Sequence, residues 1–188
     1  MRHKYETSGI VLSRSFIGEA NVFVTLITPE LGLVCARAQG LRRTGAKLAA
    51  ALATLAQSSL VLVRGKDSWR VAGAVLEENW FAQMENSPRT RAARVSGLLI
   101  RMVVGEAYDP KLFLIMASFF KALTELPEEF HAAAEALAVL RILAVLGLDT
   151  GEIPGEFYLF TQPLLTSIVK DRSQYIARIN RGITSSGL

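Results

Sequence analysis

The feature of this sequence that most constrains its fold is a change in hydrophobic period near residue 80. Before that point, short runs of β-branched and apolar residues alternate with turn signals, which is typical of strands. After it, apolar residues recur every three or four positions, the spacing of one helix face. The sequence therefore predicts an α+β protein, with a strand domain over residues 1–80 and an all-helical domain over residues 81–188.

Five strands are predicted in the first domain, over residues 7–14, 21–28, 33–39, 58–64 and 69–76. Pro29 to Gly32 and Gly65 to Ser68 contain turn residues, and they predict two hairpins. A basic loop, followed by an Ala/Leu-rich segment that can form a short helix, separates the third and fourth strands. This order matches the five-stranded OB-fold barrel, with an SH3-like barrel as the alternative.

Four helices are predicted in the second domain. Ser87-Pro88, Asp109-Pro110 and Pro127 are start signals, and glycines at 105 and 147 follow the apolar runs of the first and third helices. The fourth helix is expected from about Pro163 to Arg181, with Gly182 as its stop.

The placement of charge is more informative than the formal net charge of +4. Residues 1–80 carry ten Lys or Arg against six Asp or Glu, whereas residues 81–188 carry eleven of each sign. Between Leu31 and Val75 there are seven basic residues and one acid, Asp67. Such a local basic field attracts polyanions.

The basic residues of the predicted barrel are therefore candidates for binding nucleic acid. They are Arg14, Arg37, Arg42, Arg43, Lys47, Arg64, Lys66 and Arg70. Charges on strands and loop tips of one barrel can converge on a groove that binds single strands through their phosphates. The loop from Gly40 to Lys47 is expected to carry most of this affinity, and ordinary solubilising charge is the alternative. Trp69 and Phe23 are expected in the core more than as base-stacking residues.

Catalysis and metal binding find little support. One cysteine cannot form an intrachain disulfide or a cysteine-based zinc site, and His3 and His131 lie far apart. Cys35 is expected as a packed structural thiol, and His131 at or near the surface. No phosphate-loop spacing occurs. We therefore expect no catalytic residues, no cofactor and no metal.

The sequence also indicates a cytoplasmic protein. Its first residues lack a signal-peptide pattern, and the longest uncharged run, residues 48–63, is too short to span a membrane. A single cysteine fits a reducing compartment.

Several short motifs occur together in order. They are Ile10-Val11-Leu12, Gly18-Glu19, the Thr28 to Gly32 hairpin and Gly40-Leu41-Arg42-Arg43, followed by AYDPKLFLIMASFFKAL and EALAVLRILAVLGLDTG. In these motifs the sequence resembles the RecO family of recombination mediators, over residues 5–80 and 88–150. Many members carry a Cys-x-x-Cys zinc module after the Leu-Gly. Here GEIPGEFYLF follows, so the sequence resembles a short form without that module.

The resemblance implies a DNA-repair protein of the RecF-type pathway that binds single- and double-stranded DNA. It also implies annealing of complementary strands and help in loading recombinase onto strands coated by single-strand-binding protein. The implied partners are RecR and the acidic tail of single-strand-binding protein. We expect the helical half to receive this tail, with Arg101, Lys121 and Arg141 as its basic rim. An RNA-binding OB module and a protein-interaction adaptor are the alternatives.

Overall fold

The computed structural model describes residues 3–17, 21–39, 48–66, 68–103 and 109–188. Its strands are β1 (Lys4–Ile17), β2 (Asn21–Thr28), β3 (Gly32–Gln39), β4 (Ala56–Arg64) and β5 (Trp69–Asn79). Its helices are α1 (Leu48–Ala51), α2 (Trp80–Gln83), α3 (Asn86–Met102), α4 (Pro110–Glu125), α5 (Glu128–Val145), α6 (Gln162–Lys170) and α7 (Arg172–Ser185). The predicted change from strands to helices near residue 80 is confirmed.

The five strands form a closed barrel in the order β1-β2-β3-β5-β4. Four of the pairings are antiparallel, while β3 and β5 pair in parallel. Together with the α1 excursion between β3 and β4, this order is that of the OB-fold and not of the SH3-like alternative. The predicted α+β class with an N-terminal OB barrel is confirmed.

The strand β1 is long because it serves two neighbours. Its first half pairs with β4 and its second half with β2, and the register shifts between Val11 and Ser13. Gly9 packs closely against β4, and a Cβ there would lie 2.6 Å from Leu60 Cδ1, so the Leu60 side chain would have to shift. Prediction from the sequence found only residues 7–14 of this strand.

The barrel interior is filled by aliphatic side chains that alternate with outward-facing residues. On β3, Val34, Ala36 and Ala38 are buried, whereas Cys35 and Gln39 are exposed. The interior cluster contains Val11, Val22, Val24, Leu26, Val34, Ala36, Ala38, Leu52, Leu60, Leu62, Trp69 and Val71. The alternation decides which basic residues of the barrel face outward.

The chain separates into two compact units, residues 1–83 with 103–113, and residues 84–102 with 114–188. In the second unit α5 is central and packs against α3, α6 and α7. Its buried residues lie on several sides, as expected of a helix with helical neighbours around it. A division into two domains at residue 80 stays a prediction.

The predicted fourth helix from Pro163 to Arg181 is two helices. The helix α6 ends at Lys170, and Asp171 has φ −103° and ψ 25°, outside the helical range. The Asp171 carbonyl then accepts from the amides of Gln174 and Tyr175, which begins α7. Over the ranges that the structure describes, none of the helices has the length and apolar content to cross a membrane.

Candidate nucleic-acid interface

The parallel pairing of β3 with β5 brings two predicted basic residues together. Arg37 and Arg70 are register partners across this pairing, and we call them the arginine seam. Arg70 is exposed and Arg37 is half-buried on the outward row of β3. Side chains of directly paired residues start about 5 Å apart, so Arg37 and Arg70 project from one small patch of the barrel.

The seam continues along the same row of paired residues. Arg37 pairs with Phe23 on β2, and Phe23 pairs with Ser15 on β1. Phe23 is half-buried between interior neighbours, so part of its ring faces outward beside Arg37. This corrects the expectation of a core Phe23 and leaves an aromatic ring next to a cation.

On the other side of Arg70 the row reaches Val63 on β4 and then Lys4 at the start of β1. Lys4 is exposed. Lys4 was not among the residues predicted from the sequence, because the predicted strand began three residues later. Only the register of β1 on β4 places this lysine in line with the arginine seam.

The β4–β5 hairpin carries Arg64 and Lys66, which are both exposed. The Arg64 guanidinium lies 5.2 Å from the centroid of the Trp69 ring. Trp69 is 5% exposed, so its predicted place in the core is confirmed. The Tyr5 ring packs edge-on against Trp69 with centroids 5.1 Å apart, and Tyr5 is 38% exposed. Tyr5 is thus an exposed aromatic residue beside the basic hairpin, and it was not among the residues predicted from the sequence.

Arg14 stands apart from the seam. It pairs with Val24, whose side chain is inside the barrel, so Arg14 alternates to the other face from Ser15 and Phe23. Its guanidinium lies 5.6 Å from the centroid of the Phe16 ring, which is 56% exposed. Arg14 and Phe16 therefore form a separate basic and aromatic pair near the end of β1.

Three candidates, Arg42, Arg43 and Lys47, lie outside the described residues, and so do the Gly40 and Gly18-Glu19 motif positions. Their contribution stays a prediction. In the chain, the segment 40–47 joins β3, which carries Arg37, to α1.

Two residues considered for chemistry occupy places other than those expected. Cys35 is exposed, because it belongs to the outward row of β3 with Arg37. Partial burial raises the pKa of its thiol, which keeps it protonated at neutral pH. His131 is buried, and its Nε2 lies 2.8 Å from the Leu126 carbonyl oxygen. Within the described ranges no group of three or more His, Cys, Asp or Glu is placed to hold a metal ion.

The predicted rim of the helical half is not assembled as expected. Arg101 is exposed at the end of α3, and Lys121 is exposed on α4, where its Nζ lies 3.8 Å from Glu125 Oε1. Arg141 is fully buried, which corrects its assignment to an exposed rim. Its guanidinium donates to the carbonyls of Pro154 and Phe157 at 3.0 and 3.1 Å and lies 4.8 Å from the Phe160 ring centroid.

Burial lowers the pKa of Arg141 to about 10, which still leaves the guanidinium charged at neutral pH. Its role in this structure is to hold the segment that follows α5.

A groove of about 430 Å³ in the helical unit does combine apolar and basic side chains. We call it the α5–α7 groove. Its apolar residues include Val139, Ile168, Val169, Ile176 and Ile179, and its charged residues are Arg91, Arg94, Glu129, Glu135 and Arg172. Val169 is 50% exposed and Ile176 is 38% exposed. This groove was not predicted from the sequence, although Arg91 and Arg94 are three residues apart on one helix face.

A second, more polar cleft of about 680 Å³ lies between residues 148–154 and α7. Arg178 Nη2 and Nε donate to the two carboxylate oxygens of Asp149 at 2.5 and 3.1 Å, and Nη1 donates to the Glu152 carbonyl at 3.0 Å. The hydrogen bond from Arg178 lowers the pKa of Asp149, and Asp149 in turn raises the pKa of Arg178. The Arg178 guanidinium and the Asp149 carboxylate thus satisfy each other's hydrogen bonds and hold residues 148–154 against α7.

Comparison with known proteins matches residues 1–78 to the family described as Recombination protein O N terminal. The DNA repair protein RecO of Dehalococcoides mccartyi strain BAV1 is 30% identical over 123 residues, which cover 64% of this chain and 48% of that protein. The DNA repair protein RecO of Thermobifida fusca is 31% identical over 153 residues, which cover 76% of this chain and 60% of that protein. The DNA repair protein RecO of a Nostoc species is 26% identical over 152 residues, which cover 79% of this chain and 51% of that protein. The chain spans about half the length of the curated relatives it matches.

Proposed function

This chain belongs to the RecO family by its N-terminal barrel, and we propose that it is a DNA-binding mediator of recombinational DNA repair. The observation that carries the proposal is the arginine seam, where Arg37 and Arg70 meet across β3 and β5 beside Phe23. Paired cations next to a half-buried aromatic ring suit a phosphate backbone with unpaired bases. We propose that the protein acts by binding and not by catalysis.

The position of the seam on the barrel supports this proposal. OB-folds take oligonucleotides on the face of strands 2 and 3 and on the loops that join strands 1 to 2 and 4 to 5. Phe23 and Arg37 lie on β2 and β3, and Lys66 lies in the β4–β5 loop. Arginine forks onto phosphate oxygens and stacks on bases, and neither contact depends on sequence. Binding to single- and double-stranded DNA is therefore expected to be non-specific and weakened by salt.

The alternatives are an RNA-binding OB module and an adaptor without its own affinity for nucleic acid. Anisotropy titrations of a labelled DNA oligomer at two salt concentrations separate the first proposal from the adaptor. Competition with unlabelled DNA and RNA of one sequence then separates DNA from RNA preference. We expect salt-sensitive binding with DNA as the better competitor. Absence of binding at low salt would favour the adaptor.

We further propose the mediator activities of the RecF-type pathway, namely annealing of complementary strands and loading of recombinase onto coated strands, with RecR as a partner. A sequence-tolerant backbone contact supports annealing, because it holds a strand while leaving its base edges free to pair. The test is the annealing rate of complementary oligomers, one labelled at each end for energy transfer, with and without single-strand-binding protein. A rate equal to that of the bare strands would contradict this proposal.

We propose that the α5–α7 groove receives the C-terminal tail of single-strand-binding protein. An acidic peptide with an aromatic end needs an apolar wall with cations beside it, and Ile176, Val169 and Arg172 supply these. The earlier candidates Arg101 and Lys121 do not line this groove. Titration of a labelled tail peptide should show weaker binding for Arg172→Glu than for the control Arg101→Glu. Equal affinities would place the tail elsewhere.

A further inference from the structure

The ion pairs at the α5–α7 groove indicate how its occupancy is controlled. Arg91 Nη1 lies 2.5 Å from Glu135 Oε2, while Arg94 Nε and Nη2 lie 2.8 and 2.9 Å from Oε1 and Oε2 of the same carboxylate. All three residues line the groove. One glutamate of α5 therefore neutralises part of the charge of two arginines of α3 beside the apolar wall.

The two arginines are held unequally. The Arg94 side chain is 58% exposed, whereas those of Arg91 and Glu135 are 23% and 18% exposed. Water can hydrate the exposed Arg94 guanidinium when it leaves Glu135, so releasing Arg94 costs less than releasing the more buried Arg91. Arg91 therefore keeps the carboxylate in place while Arg94 is exchanged.

We propose that Glu135 is a built-in competitor for anionic peptides at this groove, which holds Arg94 until a ligand carboxylate replaces it. This inference rests on the proposed function of the groove as the receptor for an acidic peptide. When the groove is filled, Arg94 pairs with a carboxylate of the peptide, the apolar end of the peptide packs on Val169 and Ile176, and Glu135 stays with Arg91.

The competitor makes the groove selective. A segment that is merely acidic must displace Glu135 with no compensating contact, so it binds weakly. A peptide whose apolar end is seated in the groove presents its carboxylate to Arg94 at high local concentration. Glu135 thus lowers the affinity for every anionic peptide, and it lowers it most for acidic segments that lack an apolar end.

The groove carries one further charge of each sign, and of these Arg172 favours an anionic occupant. Arg172 is exposed and forms no ion pair within the described ranges. Glu129 also lines the groove, is exposed, and forms no ion pair in the same part of the chain. Glu129 is therefore a matched control for Glu135: its removal changes the charge of the groove equally without releasing an arginine.

The test is an anisotropy titration of the full chain with a short labelled peptide rich in aspartate and ending in phenylalanine. At an ionic strength near 0.15 M, where the screening length is about 8 Å, long-range charge effects are small. We expect Glu135→Gln to tighten binding by about two- to fivefold, the range of an exposed ion pair, and Glu129→Gln to change it by less than about 1.5-fold. In an Arg94→Gln background the gain from Glu135→Gln should shrink, because only Arg91 is then released.

The outcomes separate the two proposals. If the wild type and every Gln variant fail to bind the peptide, the groove is not its receptor and both proposals fall. If the wild type binds but Glu135→Gln and Glu129→Gln act alike, or if the gain is undiminished in the Arg94→Gln background, only the competitor role is overturned. Circular dichroism checks each fold. Should Glu135→Gln not fold, Glu135→Asp, which is too short to span both arginines, is expected to tighten binding by a smaller factor.

Discussion

At the scale of single residues, buried arginines organise the helical unit. Among the residues that the structure describes, Arg141 is the largest fully buried side chain, and its guanidinium donates to the carbonyls of Pro154 and Phe157. Those carbonyls belong to a segment without helix or strand, so they depend on side-chain donors. Nothing in the local sequence separates this arginine from an exposed one, because its neighbours Leu140 and Ile142 suit any buried helix.

Replacing Arg141 tests this structural role. We expect Arg141→Met to lower the free energy of unfolding by about 2–4 kcal/mol, because two buried carbonyls lose their donor while the volume is kept. The exposed Arg101→Met should change it by less than about 0.5 kcal/mol. Urea unfolding followed by circular dichroism measures both. A loss for Arg141→Met no larger than that of the control would contradict the role.

The Asp149–Arg178 pair predicts a dependence on pH. Arg178 lowers the pKa of Asp149 in the folded state, so the pair contributes fully above the unfolded pKa of about 4 and is lost as pH falls through the folded value. We expect Asp149→Asn to cost about 1–2 kcal/mol of unfolding free energy near pH 7, with the gap to wild type narrowing below about pH 4. A gap that is constant between pH 7 and pH 3 would show that ionisation of Asp149 is not the cause.

At the scale of elements, the strands were predictable where a local pattern specified them. The nearly continuous apolar run over Asn21–Thr28 and the strand pattern over residues 33–39 predicted β2, β3 and the hairpin between them closely. The first residues of β1 were missed because Lys4, Tyr5 and Glu6 are polar or exposed and pair only with the distant β4. The break at Asp171 was missed because the apolar period of α6 and α7 continues across it.

The candidate sites depend on contacts between elements that are distant in sequence. Arg37 and Arg70 meet only because β3 and β5 close the barrel in parallel, and no local pattern predicts that register. The α5–α7 groove takes residues from α3, α5, α6 and α7. The composition could indicate a basic barrel, but it could not indicate which Lys and Arg residues are neighbours in the fold.

The segment that joins β3 to α1 carries a prediction made from its charge alone. Arg42, Arg43 and Lys47 occur there without an acid, next in sequence to the strand that holds Arg37. We expect Arg42→Glu with Arg43→Glu to weaken binding to all DNA sequences alike and to flatten its salt dependence. Anisotropy on two oligomers of different sequence measures this. If the folded double variant binds DNA as tightly as the wild type, the charge of this segment serves solubility and not DNA binding.

At the scale of the whole molecule, the protein is expected to fold and bind DNA without a metal. The sequence has one cysteine and two histidines, and relatives matched here extend well beyond the region that this chain covers. Elemental analysis of untagged protein should find zinc far below one equivalent, and a chelator should leave the circular dichroism unchanged. Stoichiometric zinc with loss of structure on chelation would contradict this expectation.

The central claim is that the basic surface of the barrel binds single-stranded DNA through its phosphates. The most direct test is the salt dependence of affinity for a labelled oligomer, compared between wild type, Arg37→Glu with Arg70→Glu, and the control Arg101→Glu with Lys121→Glu. Neutralisation of three to five phosphates predicts a log–log slope of roughly −2 to −3.5 for the wild type. The seam variant should bind more weakly with a slope shallower by about 1.4, which corresponds to two lost contacts, while the control stays close to wild type. A folded seam variant with the affinity and slope of the wild type would contradict the claim.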